Sequence, residues 1–306
     1  MVPLLPLLTE IAIVVIAFTV LGLATIVGPG RLWEFRGEVL DRFLYLFPYL
    51  LLVGCVLVVN SLLRDIGPPL SLVIGWEITN DIYALEGTFV GWVQSFSTPV
   101  ADMYFAYIYI YGYIFVLLFP LLAYFVLSND RPVREATFAY ALNYGVGLVC
   151  YVLFIAYGPR NVMPDLVDQV LYVHWPESNL LTSAVNANVN VFPSLHTSLA
   201  VTVALLAFRT RDEYPLWTPI ASVLALSVMI STMYLGIHWL TDVVAGILLA
   251  VFSVATAAWL TSPGRKQGWL YSLGLRLRGP VDSLMQTAVE KFSEGERSSH
   301  DPPQAE

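Results

Sequence analysis

Charged residues are scarce in this sequence. Only 12% of its 306 residues are Asp, Glu, Lys or Arg, whereas 57% are hydrophobic. This is too little polar surface to cover a water-soluble globule of this length, so the composition excludes an ordinary soluble domain. We therefore expect most of the chain to be surrounded by lipid.

Cysteine and histidine are also rare, with two and four residues. Cys55 and Cys150 lie in apolar stretches, where we expect them to act as small apolar side chains rather than as a disulfide. The first apolar run has no basic leader before it, which favours a retained helix over a cleaved signal peptide. His174 and His300 belong to no motif, and we assign neither of them a role.

Long apolar runs recur along most of the chain. A run of about 20 residues is long enough to cross roughly 30 Å of hydrocarbon as a helix. The sequence therefore predicts an all-α, polytopic integral membrane helix bundle with about seven transmembrane helices. The fifth run is short and needs flanking residues or a tilt to cross. The predicted spans are residues 7–27, 43–63, 104–127, 136–157, 195–208, 216–237 and 239–260.

Three segments follow from this pattern. Residues 1–30 are predicted to contain an N-terminal transmembrane helix, and residues 31–262 a membrane-embedded domain. Residues 263–306 form a polar tail that ends in SEGERSSHDPPQAE, a composition typical of partial disorder.

The basic residues fall in alternate loops. Because Lys and Arg near helix ends favour the cytoplasmic side, we predict an outer N-terminus and a cytoplasmic tail in the plasma membrane. Only Arg64 and Arg160 lie on the predicted outer side, where acidic residues collect instead. The net charge of −8 therefore does not come with a basic surface that would attract nucleic acid, and we expect no nucleic-acid partner. The predicted cytoplasmic residues are Arg31, Arg36, Arg42, Arg131, Arg134, Arg209, Arg211, Arg265, Lys266, Arg276, Arg278, Lys291 and Arg297.

Two of the predicted outer loops are long. Apolar residues at helical spacing in the first loop predict one amphipathic helix lying in the membrane interface. They are Ile78, Ile82, Leu85, Phe89, Trp92 and Phe96. The second loop, residues 158–193, contains prolines and an Asn-rich stretch at residues 186–190, which predicts an irregular cap.

Two motifs on the predicted outer side carry ionisable residues. The first, residues 191–198, contains Pro-Ser-Leu-His ending at His196, and the second, residues 231–242, contains His238 and Asp242. Idle ionisable groups are expensive to bury at a membrane surface, so this convergence indicates a functional site. Either histidine alone would more simply be a polar residue hydrogen-bonded between helices. The carboxylate four residues after His238 reverses that preference.

The spacing of His238 and Asp242 places both on one face if a helix begins there. The carboxylate can then accept the Nδ1 proton and leave a lone pair on Nε2, which makes His238 a candidate nucleophile toward phosphorus. His196 is the candidate general acid, because imidazole titrates near neutrality.

These motifs resemble the type 2 phosphatidic acid phosphatase superfamily. Its pattern is Pro-Ser-Gly-His followed by Ser-Arg, five residues, His, three residues and Asp, and the spacing here is the same. The resemblance covers roughly the second half of the chain. It implies a six-helix core and a metal-independent reaction in which His238 is the nucleophile, Asp242 orients it and His196 is the acid.

Two residues depart from the superfamily pattern. Leu195 replaces the glycine, and Thr232 replaces the arginine that binds phosphate in the phosphatase branch. Pro-Ser-Leu-His and Ser-Thr-Met-Tyr-Leu resemble the inositol phosphorylceramide synthase branch, which transfers a phosphoinositol head group to ceramide instead of to water.

Another basic group should then bind the phosphate, since stabilisation in phosphoryl transfer is mainly electrostatic. Only Arg64 and Arg160 lie on the predicted outer side. The Tyr-Gly-Pro-Arg segment that ends at Arg160 is similar to a segment of the synthase-like branch, so we favour a phosphate-binding role for Arg160 over that of an interfacial anchor. Arg131, in an Arg-Pro pair, falls on the wrong face. Candidate hydrogen bonders around the phosphate are Ser194, Thr232 and Tyr234.

The sequence thus predicts a lipid phosphotransferase or phosphatase that acts on a lipid phosphate without a cofactor or metal, since no further residue has ligand spacing. It does not decide the acceptor or the oligomeric state. A simple phosphatidic acid or isoprenyl diphosphate phosphatase stays possible. Alternatives of other classes are a transporter using Asn60 and Asn143, and a haem protein with His196 and His238 as axial ligands.

Overall fold

A computed structural model of the protein describes residues 4–174 and 191–262 and the single residue 276. Its elements are mainly helices. They are α1 (Leu4–Gly22, continued by a π-helical turn at Leu23–Val27), α2 (Pro29–Phe35), α3 (Val39–Ile74), β1 (Trp76–Glu77), α4 (Thr79–Glu86), α5 (Phe89–Gln94), α6 (Pro99–Tyr107, continued by a π-helical turn at Ile108–Gly112), α7 (Tyr113–Phe125), α8 (Arg131–Leu153), β2 (Phe154–Ile155), α9 (Pro159–Val162), α10 (Val170–His174), α11 (Leu195–Arg209), α12 (Trp217–Tyr234) and α13 (Leu240–Leu260).

The predicted all-α membrane bundle is confirmed. Six helical stretches of the described chain are long and apolar enough to span a membrane. The remaining predicted span, the fifth, corresponds to α11, which has 15 residues and rises only about 22 Å along its axis. The six stretches are Leu5–Val27, Val39–Leu62, Pro99–Phe125, Arg131–Leu153, Trp217–Tyr234 and Leu240–Leu260. The chain is therefore an integral membrane protein.

Some helices begin or end outside the predicted spans. Helix α3 has 36 residues and continues past its membrane-spanning part, Val39–Leu62, to Ile74, so Arg64 lies on a helix rather than in a loop; its side chain is outside the described residues. The fourth span begins at Arg131 instead of residue 136. The third span begins at Pro99 instead of residue 104. Thr98 caps it by accepting the Ala101 N–H over 3.2 Å, which replaces a hydrogen bond that the first turn lacks.

The predicted single amphipathic helix is two helices, α4 and α5. They are separated at Gly87, which has φ +57° and ends α4. Glycine readily adopts a positive φ of this kind, because it has no β-carbon. The break also changes the buried face, because Ile82 and Val90 are buried whereas Leu85 and Trp92 are exposed.

The predicted irregular cap is partly helical where it is described. Helices α9 and α10 occupy its first part, and residues 175–190 lie outside the described residues. A short parallel pairing of β1 with β2, with Trp76 opposite Phe154, joins the end of α3 to the end of α8. The predicted tail, residues 263–306, is outside the described residues apart from residue 276.

A polar contact lies within the apolar core between α8 and α11. Asn143 is fully buried, and its amide donates to the Ala139 carbonyl over 2.7 Å and to Thr202 Oγ1 over 3.0 Å. Its oxygen accepts a short hydrogen bond from Ser198. These bonds use both ends of the amide, which is how a buried polar side chain between membrane helices is normally satisfied.

A buried carboxylate joins three helices at one end of the bundle. Glu135, near the start of α8, forms ion pairs of 2.8 Å with Arg131 and with Arg209 at the end of α11. Thr261, which follows α13, donates to the same carboxylate over 3.3 Å. Because α11 and α13 end here, their first residues lie at the opposite end of the bundle.

Candidate active site

The two predicted motifs meet at that opposite end, where α11 and α13 begin. The Ser194 N–H donates to the carbonyl oxygen of Asp242 over 3.0 Å. Gly246, one turn further along α13, permits this approach, since a β-carbon there would lie 2.6 Å from the carbonyl oxygen of Ser194. The backbone itself therefore fixes the distance between the two motifs.

A tight turn after α12 presents His238. The carbonyl oxygen of Thr232 accepts the N–H groups of Ile237 and His238, each over 3.0 Å. The turn needs Gly236, which has φ +68°, and a β-carbon there would lie 2.5 Å from Val167 Cγ1. Glycine is the residue that adopts this conformation without strain.

His238 and Asp242 form a buried pair. His238 Nδ1 lies 3.3 Å from Asp242 Oδ2, and the side chains are 1% and 0% exposed. The same oxygen accepts the Trp239 N–H over 2.9 Å. Since Nδ1 faces a carboxylate, the ring is expected to carry its proton there. Nε2 makes no hydrogen bond to the described residues, so its lone pair faces the site.

The protonation of His238 is set by its surroundings. Burial lowers the pKa of this imidazole below its usual range; the Val191 backbone opposes part of this shift, and the positive charge of Arg160 adds to it. A buried imidazole loses hydration that would stabilise its charged form, and a nearby cation repels the added proton. The ring is therefore neutral near pH 7, which is the state a nucleophilic nitrogen requires.

His196 lies across from His238, with ring centroids 6.2 Å apart and an interplanar angle of 55°. Two tyrosines hold the His196 ring. Tyr109 stacks on it at 4.6 Å, and Tyr113 lies against it at 4.4 Å. The sequence analysis did not identify these tyrosines, because they belong to the π-helical turn and α7 and follow no motif.

Arg160 joins the same end of the bundle. Its N–H donates to the Gly236 carbonyl over 3.1 Å, which ties α9 to the turn that carries His238. Its Nη2 donates to Tyr172 Oη over 3.0 Å, and the guanidinium lies 4.8 Å from the centre of that ring. Nη1 is buried and makes no hydrogen bond to the described residues. A planar cation with a free donor of this kind suits a phosphate oxygen.

Of the three other predicted phosphate-site residues, Ser194 and Thr232 make local hydrogen bonds, whereas Tyr234 bonds a residue distant in sequence. Ser194 Oγ accepts the Thr197 N–H over 3.3 Å and caps α11. Thr232 Oγ1 donates to the Met229 carbonyl over 2.8 Å, and Tyr234 donates a short hydrogen bond to Asp102. The structure therefore brings Ser194 and the backbone of Thr232 to the site, while the Tyr234 hydroxyl bonds to the start of α6.

Arg131 lies at the opposite end, in its ion pair with Glu135. It is separated from both histidines by the length of α11, so the structure does not bring it to the site. Within the part of the chain that the structure describes, no three or more His, Cys, Asp or Glu side chains are grouped so as to hold a metal ion.

Two residues missed by the sequence analysis support the site from the α4 and α5 segment. Gln94 Nε2 donates to the Tyr234 and Asp168 carbonyls over 3.0 and 2.9 Å, joining the end of α12 to the segment after α9. Glu86 accepts the N–H groups of Leu240 and Thr241 at the start of α13. Their partners are more than 70 residues away in sequence, so no local pattern identifies them.

One family profile and one curated protein match the sequence of this chain. The PAP2 superfamily profile matches residues 83–256, which include both motifs, Arg160 and the supporting residues of α4 and α5. An uncharacterized protein of Methanocaldococcus jannaschii is 28% identical over 178 residues, which cover 56% of this chain and 68% of that protein. No solved structure matches the chain. Since the profile covers more than half of the sequence, this chain belongs to the PAP2 superfamily.

Proposed function

We propose that the protein is a membrane-embedded lipid phosphotransferase or lipid phosphate phosphatase that works through a phosphohistidine at His238. One observation carries the proposal. His238 has its Nδ1 beside Asp242 and its Nε2 unpaired, and its ring faces that of His196 at 6.2 Å. A phosphate between the two rings would be within reach of a nucleophile on one side and an acid on the other.

In the first step, His238 Nε2 attacks the phosphorus atom of the lipid donor. The new P–N bond forms as the P–O bond to the leaving group breaks, and the electron pair of that bond stays on the departing oxygen. His196 gives this oxygen a proton. Asp242 keeps the Nδ1 proton of His238 in place and stabilises the positive charge that the ring gains.

Arg160 supplies positive charge to the phosphoryl oxygens. Its Nη1 has no partner in the described chain, while Nη2 is held by Tyr172. In phosphoryl transfer the protein contributes mainly positioning and electrostatic stabilisation, so a fixed guanidinium is the appropriate group. It takes the place of the arginine that the superfamily pattern has at the position of Thr232.

In the second step, an acceptor hydroxyl attacks the phosphohistidine. His196, now neutral, removes the hydroxyl proton, the P–N bond breaks, and His238 is restored with its lone pair on Nε2. Water as acceptor makes the protein a phosphatase, and a second lipid hydroxyl makes it a transferase. Leu195 and Thr232 match the inositol phosphorylceramide synthase motifs, so we favour transfer of a head-group phosphate to a lipid alcohol.

The position of the site suits a lipid substrate. It lies where α11 and α13 begin, at the end of the membrane-spanning bundle, so a phosphate at head-group depth can reach it while its chains stay in the bilayer. Basic residues such as Arg31, Arg131 and Arg209 lie at the other end. We place that end in the cytoplasm and the site at the outer face of the plasma membrane.

The test is an activity panel with purified protein in mixed micelles. Phosphatidic acid, an isoprenyl diphosphate and phosphatidylinositol are supplied as donors, each with and without ceramide or diacylglycerol. We expect release of phosphate, or of inositol phosphate where phosphatidylinositol is the donor, or formation of a new phospholipid that depends on the added alcohol. Wild-type protein that turns over none of these donors contradicts the proposal.

The intermediate is tested with a donor that carries ³²P. We expect an acid-labile, base-stable label on the wild-type protein and none on His238→Ala. Arg211→Ala is the matched control, because Arg211 is exposed at the far end of the bundle and, among the described residues, hydrogen-bonds only its own turn, over 3.0 Å to the Phe208 carbonyl. Label on His238→Ala at the control level would remove His238 as the nucleophile.

A further inference from the structure

The start of α13 has an unusual set of partners for its backbone N–H groups. The first amides of a helix have no partner within the helix and need a capping acceptor. The residue at the cap is Trp239, whose side chain cannot accept a hydrogen bond as Ser, Thr, Asp or Asn would. Acceptors from elsewhere are therefore required.

Two carboxylates divide these amides between them. Asp242 Oδ2 accepts the Trp239 N–H over 2.9 Å. Glu86, which ends α4 and lies 154 residues before Leu240, accepts the Leu240 N–H over 2.8 Å with Oε2 and the Thr241 N–H with Oε1. Both oxygens of Glu86 are thus committed to the helix start, and a negative charge there is favoured by the helix dipole.

Apolar and aromatic contacts hold the end of α4 against Trp239. Ile82, one turn before Glu86, is 5% exposed and packs in one cluster with the fully buried Trp239. The Tyr83 ring lies 6.2 Å from the Trp239 ring, edge to face. Trp239 is held in turn by its indole N–H, which donates to the Tyr157 carbonyl over 2.8 Å. Helix α4 is therefore docked on the residue between His238 and the start of α13.

We propose that Glu86 is a positioning residue of the reaction, because it keeps Asp242 directed at His238. This inference rests on the proposed function. Without Glu86, the amides of Leu240 and Thr241 lose their acceptor. The other carboxylate at this helix start, among the described residues, is Asp242, whose Oδ1 is unpaired. Asp242 then turns toward those amides and leaves Nδ1 of His238.

The experiment compares Glu86→Ala and Glu86→Gln with Asp81→Ala in the full-length protein. Asp81 is the matched control, because it is an exposed acid on the same helix. Two quantities are measured: kcat and KM for the best donor of the panel, and amide hydrogen exchange of the peptide that covers residues 236–245.

We expect Glu86→Ala to lower kcat about 10- to 100-fold with KM changed less than about twofold, since a misplaced reacting group costs rate rather than binding. Exchange of residues 236–245 should accelerate. Glu86→Gln keeps one acceptor oxygen and should recover part of both effects, and Asp81→Ala should behave as the wild type.

The outcomes separate this inference from the proposed function. Exchange in Glu86→Ala equal to that in Asp81→Ala overturns the positioning role, even if the wild-type protein proves inactive on every donor. Faster exchange with an unchanged kcat per folded molecule would mean that Glu86 only stabilises the start of α13. That result also overturns its positioning role. A wild type without turnover, but with faster exchange in Glu86→Ala, rejects the phosphotransferase assignment and keeps the role of Glu86 in holding the start of α13.

Discussion

The side chain of Leu195 fills the space beside Gly147, where a β-carbon would lie 2.6 Å from Leu195 Cδ2. Leu195 stands where the superfamily pattern has glycine, directly before His196. The larger side chain on α11 is thus matched by the absence of a side chain on α8. The two residues form a size-complementary pair that sets the distance between these helices next to the acid.

The first prediction concerns this pair. Gly147→Leu should destabilise the protein by about 1–3 kcal/mol, because an added side chain overpacks a filled space, and should lower activity through His196. Adding Leu195→Gly should restore most of both losses. Unfolding temperature and kcat of the two single variants and the double variant measure the coupling. Additive losses in the double variant would show that the residues act independently.

Asp242 is predicted to act mainly through the tautomer of His238. Asp242→Asn keeps the size of the side chain but offers an amide that can stabilise the wrong tautomer, so we expect kcat to fall about 10²- to 10⁴-fold. KM and the exchange of neighbouring amides should change little. A kcat within about threefold of the wild type would mean that the 3.3 Å contact with Nδ1 has no part in the reaction.

Arg160 and Tyr172 are predicted to act as a unit. Arg160→Ala should lower kcat/KM about 10²- to 10³-fold, and Arg160→Lys should recover little, because a point charge cannot both bond Tyr172 and contact phosphate. Tyr172→Phe keeps the ring but loses the 3.0 Å hydrogen bond and should give a smaller loss. Arg211→Ala is again the control, and equal losses in it and in Arg160→Ala would remove Arg160 from the phosphate site.

The aromatic contacts of His196 give a fourth prediction. Tyr109→Phe and Tyr113→Phe retain the rings at 4.6 and 4.4 Å and should keep most activity. Tyr113→Leu removes a face that orients the imidazole and stabilises its cationic form, and should lower kcat about tenfold. If both phenylalanine variants are as impaired as the leucine variant, the hydroxyl groups rather than the rings are what matter.

The fifth prediction concerns stability against pH. Burial lowers the pKa of His238 to about 3, with the Val191 backbone opposing and the charge of Arg160 adding to the shift, whereas a histidine of the unfolded chain titrates near pH 6.5. Between these values only the unfolded state binds the proton. The free energy of unfolding should therefore fall as the pH drops below about 6.5, by at most ~1.4 kcal/mol per pH unit from this group.

The comparison that isolates this effect is denaturation of wild type and His238→Asn between pH 5 and pH 8. Asn cannot titrate, so the variant should lose less stability than the wild type on acidification. Above about pH 7 the two curves should run parallel, because His238 is neutral in both states. Parallel curves over the whole range would mean that His238 has the same pKa folded and unfolded.

The membrane spans were predictable from sequence because the bilayer imposes a length and an apolar composition on every crossing helix. The pairing of His238 with Asp242 was also predicted, but its expected cause was wrong. Helix α13 begins at Leu240, so His238 lies before the helix, and the tight turn after α12 brings it to Asp242. The prediction of a single amphipathic helix was wrong for an equally local reason. Its periodicity continues through Gly87, whose positive φ ends α4.

Other parts of the site were not predictable because their partners are distant in sequence. Glu86 meets residues 240 and 241, and Gln94 meets residues 168 and 234. Asn143 was a candidate transport residue from sequence. Its hydrogen bonds to α11 instead give it a structural explanation, because both its donor and its acceptor are used.

The ion pairs of Glu135 have a further consequence for how substrate is admitted. They join α8, α11 and α13 at the end remote from the histidines, while Ser194 and Asp242 join α11 to α13 beside them. Helices anchored at both ends resist tilting or sliding past one another. Helices α11 and α13, which are joined at both ends, therefore form a rigid frame. Under the proposed function, a lipid is accommodated by rotamer changes and by the shorter segments around the site.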